Sequence, residues 1–180
     1  MELQKKHFKD SQYLPAEDTF FLEDYIISEK GESALDIGSG SGYLTKTLSK
    51  SFSFVVGTDI NFHALKNQTY KTSNLICCNG AEALHKKFDL VICNLPYLAT
   101  DEIIDVATDG GSDGVQIPIE IIRSGKNCLK THGKFLYVTT TLSNYKELMR
   151  LTENEGFDVR VLARKKMFYE ELLIIEAIRQ

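Results

Sequence analysis

The chain has 180 residues, 43% of them hydrophobic, with 21 Lys and Arg against 25 Asp and Glu, a formal net charge of −4 and a pI near 5.6. This length fills one hydrophobic core and is short for two, so a single domain over residues 1–180 is expected. The acidic balance argues against a broad phosphate-binding surface and favours a protein or small-molecule partner over nucleic acid.

Met1-Glu2-Leu3-Gln4-Lys5-Lys6-His7 runs into Phe8-Lys9-Asp10 without an apolar signal core, and no later run reaches membrane-spanning length. A cytoplasmic protein with no membrane partner is expected. Cys77, Cys78, Cys93 and Cys128 lack Cys-x-x-Cys spacing and read as buried free thiols rather than zinc or redox ligands. His7, His63, His85 and His132 are scattered and read as surface or structural residues, so no metal site is expected.

Residues 1–12 are polar and read as a flexible arm. Pro15 then precedes an amphipathic helix through Ile27 whose first turn holds Glu17 and Asp18 beside Thr19. Two acids and a hydroxyl there suit a plain helix start or contacts to a sulfonium or ammonium ligand. Next come a strand over 33–37, the loop Gly38-Ser39-Gly40-Ser41-Gly42, a helix over 43–50 and a strand over 54–58 that ends at Asp59. This is a βαβ unit whose glycines let the backbone approach a ligand and whose carboxylate, about 20 residues on, can take ribose hydroxyls. Gly42 falls one residue too early for the dinucleotide fingerprint, which tilts the reading from NAD toward a nucleoside cofactor without a pyrophosphate. Asp36 sits inside the strand where an apolar residue is usual, and a positive charge nearby would justify it.

Asn61 caps a helix expected over 61–70, a strand follows over 74–79, and 80–85 is a turn or short helical piece. The run Phe88-Asp89-Leu90-Val91-Ile92-Cys93 is apolar and β-branched, as in a buried parallel strand, and stops abruptly at Asn94-Leu95-Pro96-Tyr97. Ligands bind outside the carboxyl ends of such strands, which places this polar tip where chemistry is done. Asp59, Asn79 and Asn94 all end strands; Asx residues often start turns there, but three beside a glycine loop fit a ligand pocket better. Asp109-Gly110-Gly111-Ser112-Asp113-Gly114 reads as a loop, either a connector or a wall of the cleft. A helix over 117–129 with Pro118 in its first turn, a strand over 135–139 and a helix over 143–155, capped by Ser143 and ended at Gly156, follow. Strands over 157–163 and 172–178 close the chain as a hairpin around Arg164-Lys165-Lys166, a solvated basic turn.

In this order the landmarks resemble the S-adenosylmethionine-dependent methyltransferases. Asn94-Leu95-Pro96-Tyr97 is similar to the Asn/Asp-Pro-Pro-Tyr signature of amino-group methylators. Pro15-Ala16-Glu17-Asp18-Thr19-Phe20, Leu35-Asp36-Ile37-Gly38-Ser39-Gly40-Ser41-Gly42 and Gly110-Gly111-Ser112-Asp113-Gly114 together resemble the HemK-like branch, and within it the short eukaryotic and archaeal members. The resemblance implies an α/β fold with a doubly wound, Rossmann-like sheet of seven strands, mostly parallel with an antiparallel C-terminal strand, and helices on both faces. It implies methylation of the glutamine of the Gly-Gly-Gln loop in class I translation termination (release) factors, and a small zinc-binding activator subunit covering an apolar sheet edge. Residue by residue it assigns Thr19 and Asp36 to the amino-acid end of the cofactor, Gly38 and Gly40 to close backbone approach, Asp59 to the ribose, and Asn79 with Gly80 to the adenine side.

Leu95 stands where the signature has its first proline, and Asn79 where the family has its adenine-side aspartate. A backbone carbonyl survives the first change, and a weaker bond to the adenine amino group survives the second. The Asn94 side-chain oxygen and the Leu95 carbonyl can hold both N–H bonds of an amide, leaving its lone pair facing the methyl group, and can stabilise the charge that develops on nitrogen. Pro96 stiffens the turn and Tyr97 offers a flat face to a planar group. The same signature serves methylation of a nucleic-acid base amino group, and a lysine target or a degenerate scaffold subunit also fits these letters.

Overall fold

The computed structural model describes residues 13–100, 105 and 107–180, so the arm expected over 1–12, with His7, lies outside the described residues. In chain order the elements are α1 (Glu17–Ile26), β1 (Gly31–Ile37), α2 (Tyr43–Leu48), β2 (Phe52–Asp59), α3 (Phe62–Lys66), β3 (Leu75–Cys77), β4 (Phe88–Asn94), β5 (Leu98–Ala99), β6 (Asp109–Gly111), α4 (Gln116–Lys126), β7 (Leu129–Thr140), α5 (Tyr145–Asn154), β8 (Phe157–Lys166) and β9 (Glu171–Arg179). Seven strands form one sheet in the order β3-β2-β1-β4-β7-β9-β8. Neighbours are parallel from β3 to β7, and β9 runs antiparallel to both β7 and β8.

The central strands are apolar on both sides because both faces are covered. Along β4, Val91 and Cys93 join the core cluster that contains Ile119 and Ile122 of α4 and Leu148 of α5, while Leu90 and Ile92 join the cluster with Phe21, Leu22 and Ile26 of α1 and Leu44 and Leu48 of α2. Successive strand residues point to opposite faces, so α4 with α5 and α1 with α2 lie on opposite sides of the sheet. The strand order reverses between β1 and β4, and their carboxyl ends, Ile37 and Asn94, therefore open the crevice of a doubly wound sheet.

Five expectations need correction. The helix expected over 61–70 is only Phe62–Lys66; Asn61 does cap it, accepting from the His63 and Ala64 N–H groups, but Tyr70 leaves the helix to donate its N–H to the Ser41 carbonyl at 2.9 Å. The loop expected at 109–114 contains β6, which pairs with β5 in a separate two-stranded sheet. Ser143 does not cap α5: its hydroxyl donates to the Thr140 carbonyl (2.9 Å) and lies 3.0 Å from the Thr139 hydroxyl. Arg164, Lys165 and Lys166 belong to β8, and the turn is made one step later, where the Met167 N–H donates to the Glu170 carbonyl at 2.8 Å. An edge strand tolerates those charges, and Arg164 and Lys165 pair with Glu171 and Glu17. Finally, Cys93 and Cys128 are buried thiols, but Cys77 is exposed and Cys78 half-buried, because β3 is an edge strand.

Candidate active site

A cavity of about 340 Å³ opens at the carboxyl ends of β1, β2 and β4. Its floor is the β1–α2 loop, which turns through positive φ at Gly38 (75°), Gly40 (43°) and Gly42 (81°). A side chain at Gly42 would collide with the Tyr70 carbonyl, so this glycine lets the 67–70 segment close over the start of α2. Nothing lies within 4 Å of a Cβ built on Gly38, which leaves its backbone open to a ligand.

Asp59, at the end of β2, accepts from the Gly40 N–H (2.9 Å) with one oxygen and from the Asn61 N–H (2.8 Å) with the other, tying the glycine loop to α3. Burial raises its pKa, opposed by those N–H groups. Asp36 is fully buried in β1 and accepts from the Thr45 hydroxyl at 2.6 Å. The positive charge expected beside it is not a side chain of the described residues. Burial therefore pushes Asp36 up to about 7, with the Thr45 hydroxyl lowering it and the charge of Asp59 adding to the rise.

Asn94 closes β4 inside the same cavity, where its Nδ2 lies 3.5 Å from the Thr19 hydroxyl and its Oδ1 is sealed from solvent without a hydrogen-bond partner. Leu95 turns its side chain into the core, only 2% exposed, so a hydrophobic residue at this position is packed and not displayed. Pro96 is buried, and β6 presses on this turn: a Cβ at Gly110 would meet the Pro96 carbonyl at 2.5 Å, and one at Gly114 the Tyr97 carbonyl at 2.5 Å. The glycine-rich segment thus backs the Pro96–Tyr97 turn that lines the cleft, while none of residues 109–114 lines the cleft itself. Gly80 is equally constrained, with φ of 53° and no room for a side chain against Ser124. Asn79 stands at the exposed rim, its Nδ2 donating to Glu82 at 3.2 Å.

Thr19 arrives on α1, and beside it is a group that the sequence reading left unassigned. Asp18, only 7% exposed, accepts from the Tyr13 hydroxyl (2.8 Å to each oxygen), the Tyr97 hydroxyl (3.0 Å) and the Thr19 N–H (2.6 Å). Both phenols are raised well above their ordinary value, by burial first and by the Asp18 charge second, so they stay neutral donors. Helical spacing carried the signal: Asp18, Leu22 and Ile26 share the buried face of α1 at four-residue intervals. Thr19, Asp36, Gly38, Gly40, Asp59, Asn79, Gly80 and Asn94 through Tyr97 all line this one cavity. Among the described residues, Asp18 and Asp105 line it too, beside Asp36 and Asp59, and no Lys, Arg or His does.

The family model of the methyltransferase small domain matches residues 18–169. The chain belongs to this family. A Methanocaldococcus jannaschii protein, provisionally named a protein N5-glutamine methyltransferase, is 33% identical over 93% of this chain and 91% of its own length. The catalytic subunit of the eRF1 methyltransferase of Schizosaccharomyces pombe, mtq2, is 25% identical over 99% of this chain and 93% of its own. Among solved structures, the E. cuniculi Mtq2–Trm112 complex, responsible for methylation of the eRF1 translation termination factor, contains a chain that superposes with a TM-score of 0.80 and 27% identity, covering 96% of this chain and all of that one. The methyltransferase thus has a seven-stranded sheet and shares its fold with that chain, and no helix among its described residues is long and apolar enough to cross a membrane.

Proposed function

We propose that this methyltransferase carries a methyl group from S-adenosylmethionine to the side-chain amide nitrogen of the glutamine in the Gly-Gly-Gln loop of a class I translation termination factor, working in the cytoplasm with a small activator subunit. The observation that carries the reading is the electrostatics of the cavity: carboxylates line it and, among the described residues, no cationic side chain does, while Asn94, whose amide oxygen has no hydrogen-bond partner there, lines it as well. Such a site repels phosphates and suits a ligand bearing a sulfonium and an ammonium. The similarity to the eRF1 methyltransferase relatives supports the same substrate.

S-adenosylmethionine supplies an already activated methyl group. Thr19 and Asp36 hold its amino-acid end, and Gly38 and Gly40 bring backbone close. Asp59 retains lone pairs for ribose hydroxyls beyond those it spends on Gly40 and Asn61. Asn79 and Gly80 border the adenine. Asn94 Oδ1, with the Leu95 carbonyl, accepts the N–H bonds of the substrate amide and binds them more strongly as nitrogen becomes positive. Pro96 holds the turn, and Tyr97, pinned by Asp18, supplies a flat wall. The Leu95 departure is harmless here because its side chain is core.

The activator reading is supported by the free edge at β3, where Ile60 (40% exposed), Phe62 (59%) and the Cys77 thiol leave an apolar rim. The test of the function offers labelled S-adenosylmethionine to the enzyme with termination factor, factor whose Gly-Gly-Gln glutamine is substituted, tRNA and DNA. Label on the native factor alone is the expected result; label on the substituted factor or on nucleic acid alone would contradict it.

A further inference from the structure

The β8–β9 turn carries the two most exposed large apolar side chains of the described residues, Phe168 at 90% and Tyr169 at 86%, with ring centroids 4.8 Å apart at 68°. Single exposed hydrophobics need no explanation, but two aromatics stacked edge-on at the tip of a fixed hairpin do. Because β8 runs parallel to β4, this tip stands at the same end of the sheet as Asn94.

The hairpin is fastened to the cavity wall. Lys165 pairs with Glu17 at 2.6 Å, one residue from Asp18, and its Nζ lies 5.9 Å from the Phe21 ring centre. The Thr140 hydroxyl donates to Glu170, and the Thr141 hydroxyl accepts the Glu171 N–H at 2.9 Å. Met167 packs on the same core cluster as Tyr97, and the charge of Glu170 reaches the Tyr97 phenol. Leu142 (62% exposed) follows β7 beside this turn, and Leu14 (64%) adjoins Tyr13, so apolar side chains stand on two more loops around the mouth.

Resting on the reading under Proposed function, we propose that Phe168 and Tyr169, with Leu142, form the docking surface for the folded protein substrate, gripping it outside the modified loop. The occupant follows from reach: the amide nitrogen of glutamine lies only about 5 Å from its Cα, so an amide held at Asn94 draws the substrate backbone into the mouth and its neighbouring surface onto the rim. Charge agrees, since Asp18, Asp36, Asp59 and Asp105 in the cavity have no cationic partner among the described residues, and a neutral or basic protein surface is accepted where a polyanion is not.

The test is steady-state kinetics of the full chain with its activator, comparing wild type with the double variant Phe168→Ser, Tyr169→Ser and with Ile27→Ser, an exposed (59%) apolar site at the end of α1. Substrates are the folded termination factor and a short peptide centred on Gly-Gly-Gln. For the double variant the KM of the factor should rise tenfold or more, with kcat, the cofactor Kd and the peptide kinetics within twofold of wild type; Ile27→Ser should change none of them. A factor KM within twofold of wild type, or an equal loss on factor and peptide, overturns the docking surface. Self-association that the double variant abolishes, with unchanged kinetics, overturns it in favour of a second copy. A wild-type enzyme that leaves the factor unmethylated overturns the substrate reading and the docking surface together.

Discussion

Asp36, near the carboxyl end of β1, and Asp89, near the amino end of β4, are single carboxylates on adjacent parallel strands, and their surroundings differ in kind. Asp89 accepts from Lys130 (2.7 Å) and from the Ser33 (2.9 Å) and Glu32 (3.1 Å) N–H groups; burial opposes its ionisation but is outweighed, and its pKa lies below the usual range. Asp36 is held only by Thr45, through its hydroxyl and backbone, with no cation beside it among the described residues and a pKa raised to about 7. The amino ends of the strands neutralise their charges internally, as Lys134 does again with Glu29 and Glu176. On the proposed function, the carboxyl ends leave theirs to be neutralised by the cofactor. A buried charge without its counter-ion costs stability, so its retention at this end marks a site for a cationic ligand.

The largest effect that would sharpen this contrast is at the acceptor. Asn94→Ala should lower kcat about 10²–10³-fold in the methyl-transfer assay while leaving the cofactor Kd near wild type, as expected for a group that acts mainly on developing charge. Native turnover in this variant would break the assignment. Asp59→Ala should weaken the cofactor about 10- to 100-fold in calorimetry and also loosen the glycine loop that it holds through Gly40.

Asp36→Asn separates stability from function. The folded chain keeps a proton that the unfolded chain gives up between pH 3.8 and about 7, so the wild type loses stability as pH rises through that window and carries the full cost above it. The variant should therefore melt a few degrees higher than wild type at alkaline pH, and bind cofactor about tenfold more weakly. Asp89→Ala should do the reverse on a smaller scale, costing about 1 kcal/mol in denaturant titration through its lost backbone N–H bonds, with no change in cofactor affinity.

Much of this end of the molecule was legible because local rules agree there. The apolar run into Asn94, the glycine loop and the carboxylate at Asp59 are each short-range patterns, and their spacing alone brings them to one crevice. What escaped depends on contacts distant in sequence. The β5–β6 pairing arises because Gly110 and Gly114 let their backbone press on the Pro96 and Tyr97 carbonyls, which no local pattern announces. The helix after Asn61 stops early because Tyr70 is drawn back to Ser41 across a gap that only Gly42 leaves open. Asp18 read either as a helix-start acid or as a contact to a cationic ligand, and what it holds, the Tyr13 and Tyr97 hydroxyls from 5 and 79 residues away, was not announced.

Calorimetry of S-adenosylmethionine binding in buffers of different ionisation enthalpy tests the contrast most directly. At pH ~6 the unliganded Asp36 is mostly protonated, and a cation bound beside it expels that proton, so close to one proton should be released per cofactor, falling toward none well above pH 7 and absent throughout in Asp36→Asn. Binding at pH ~6 without proton release, or with proton uptake, would contradict the claim that this end of the sheet holds its negative charge for a cationic ligand.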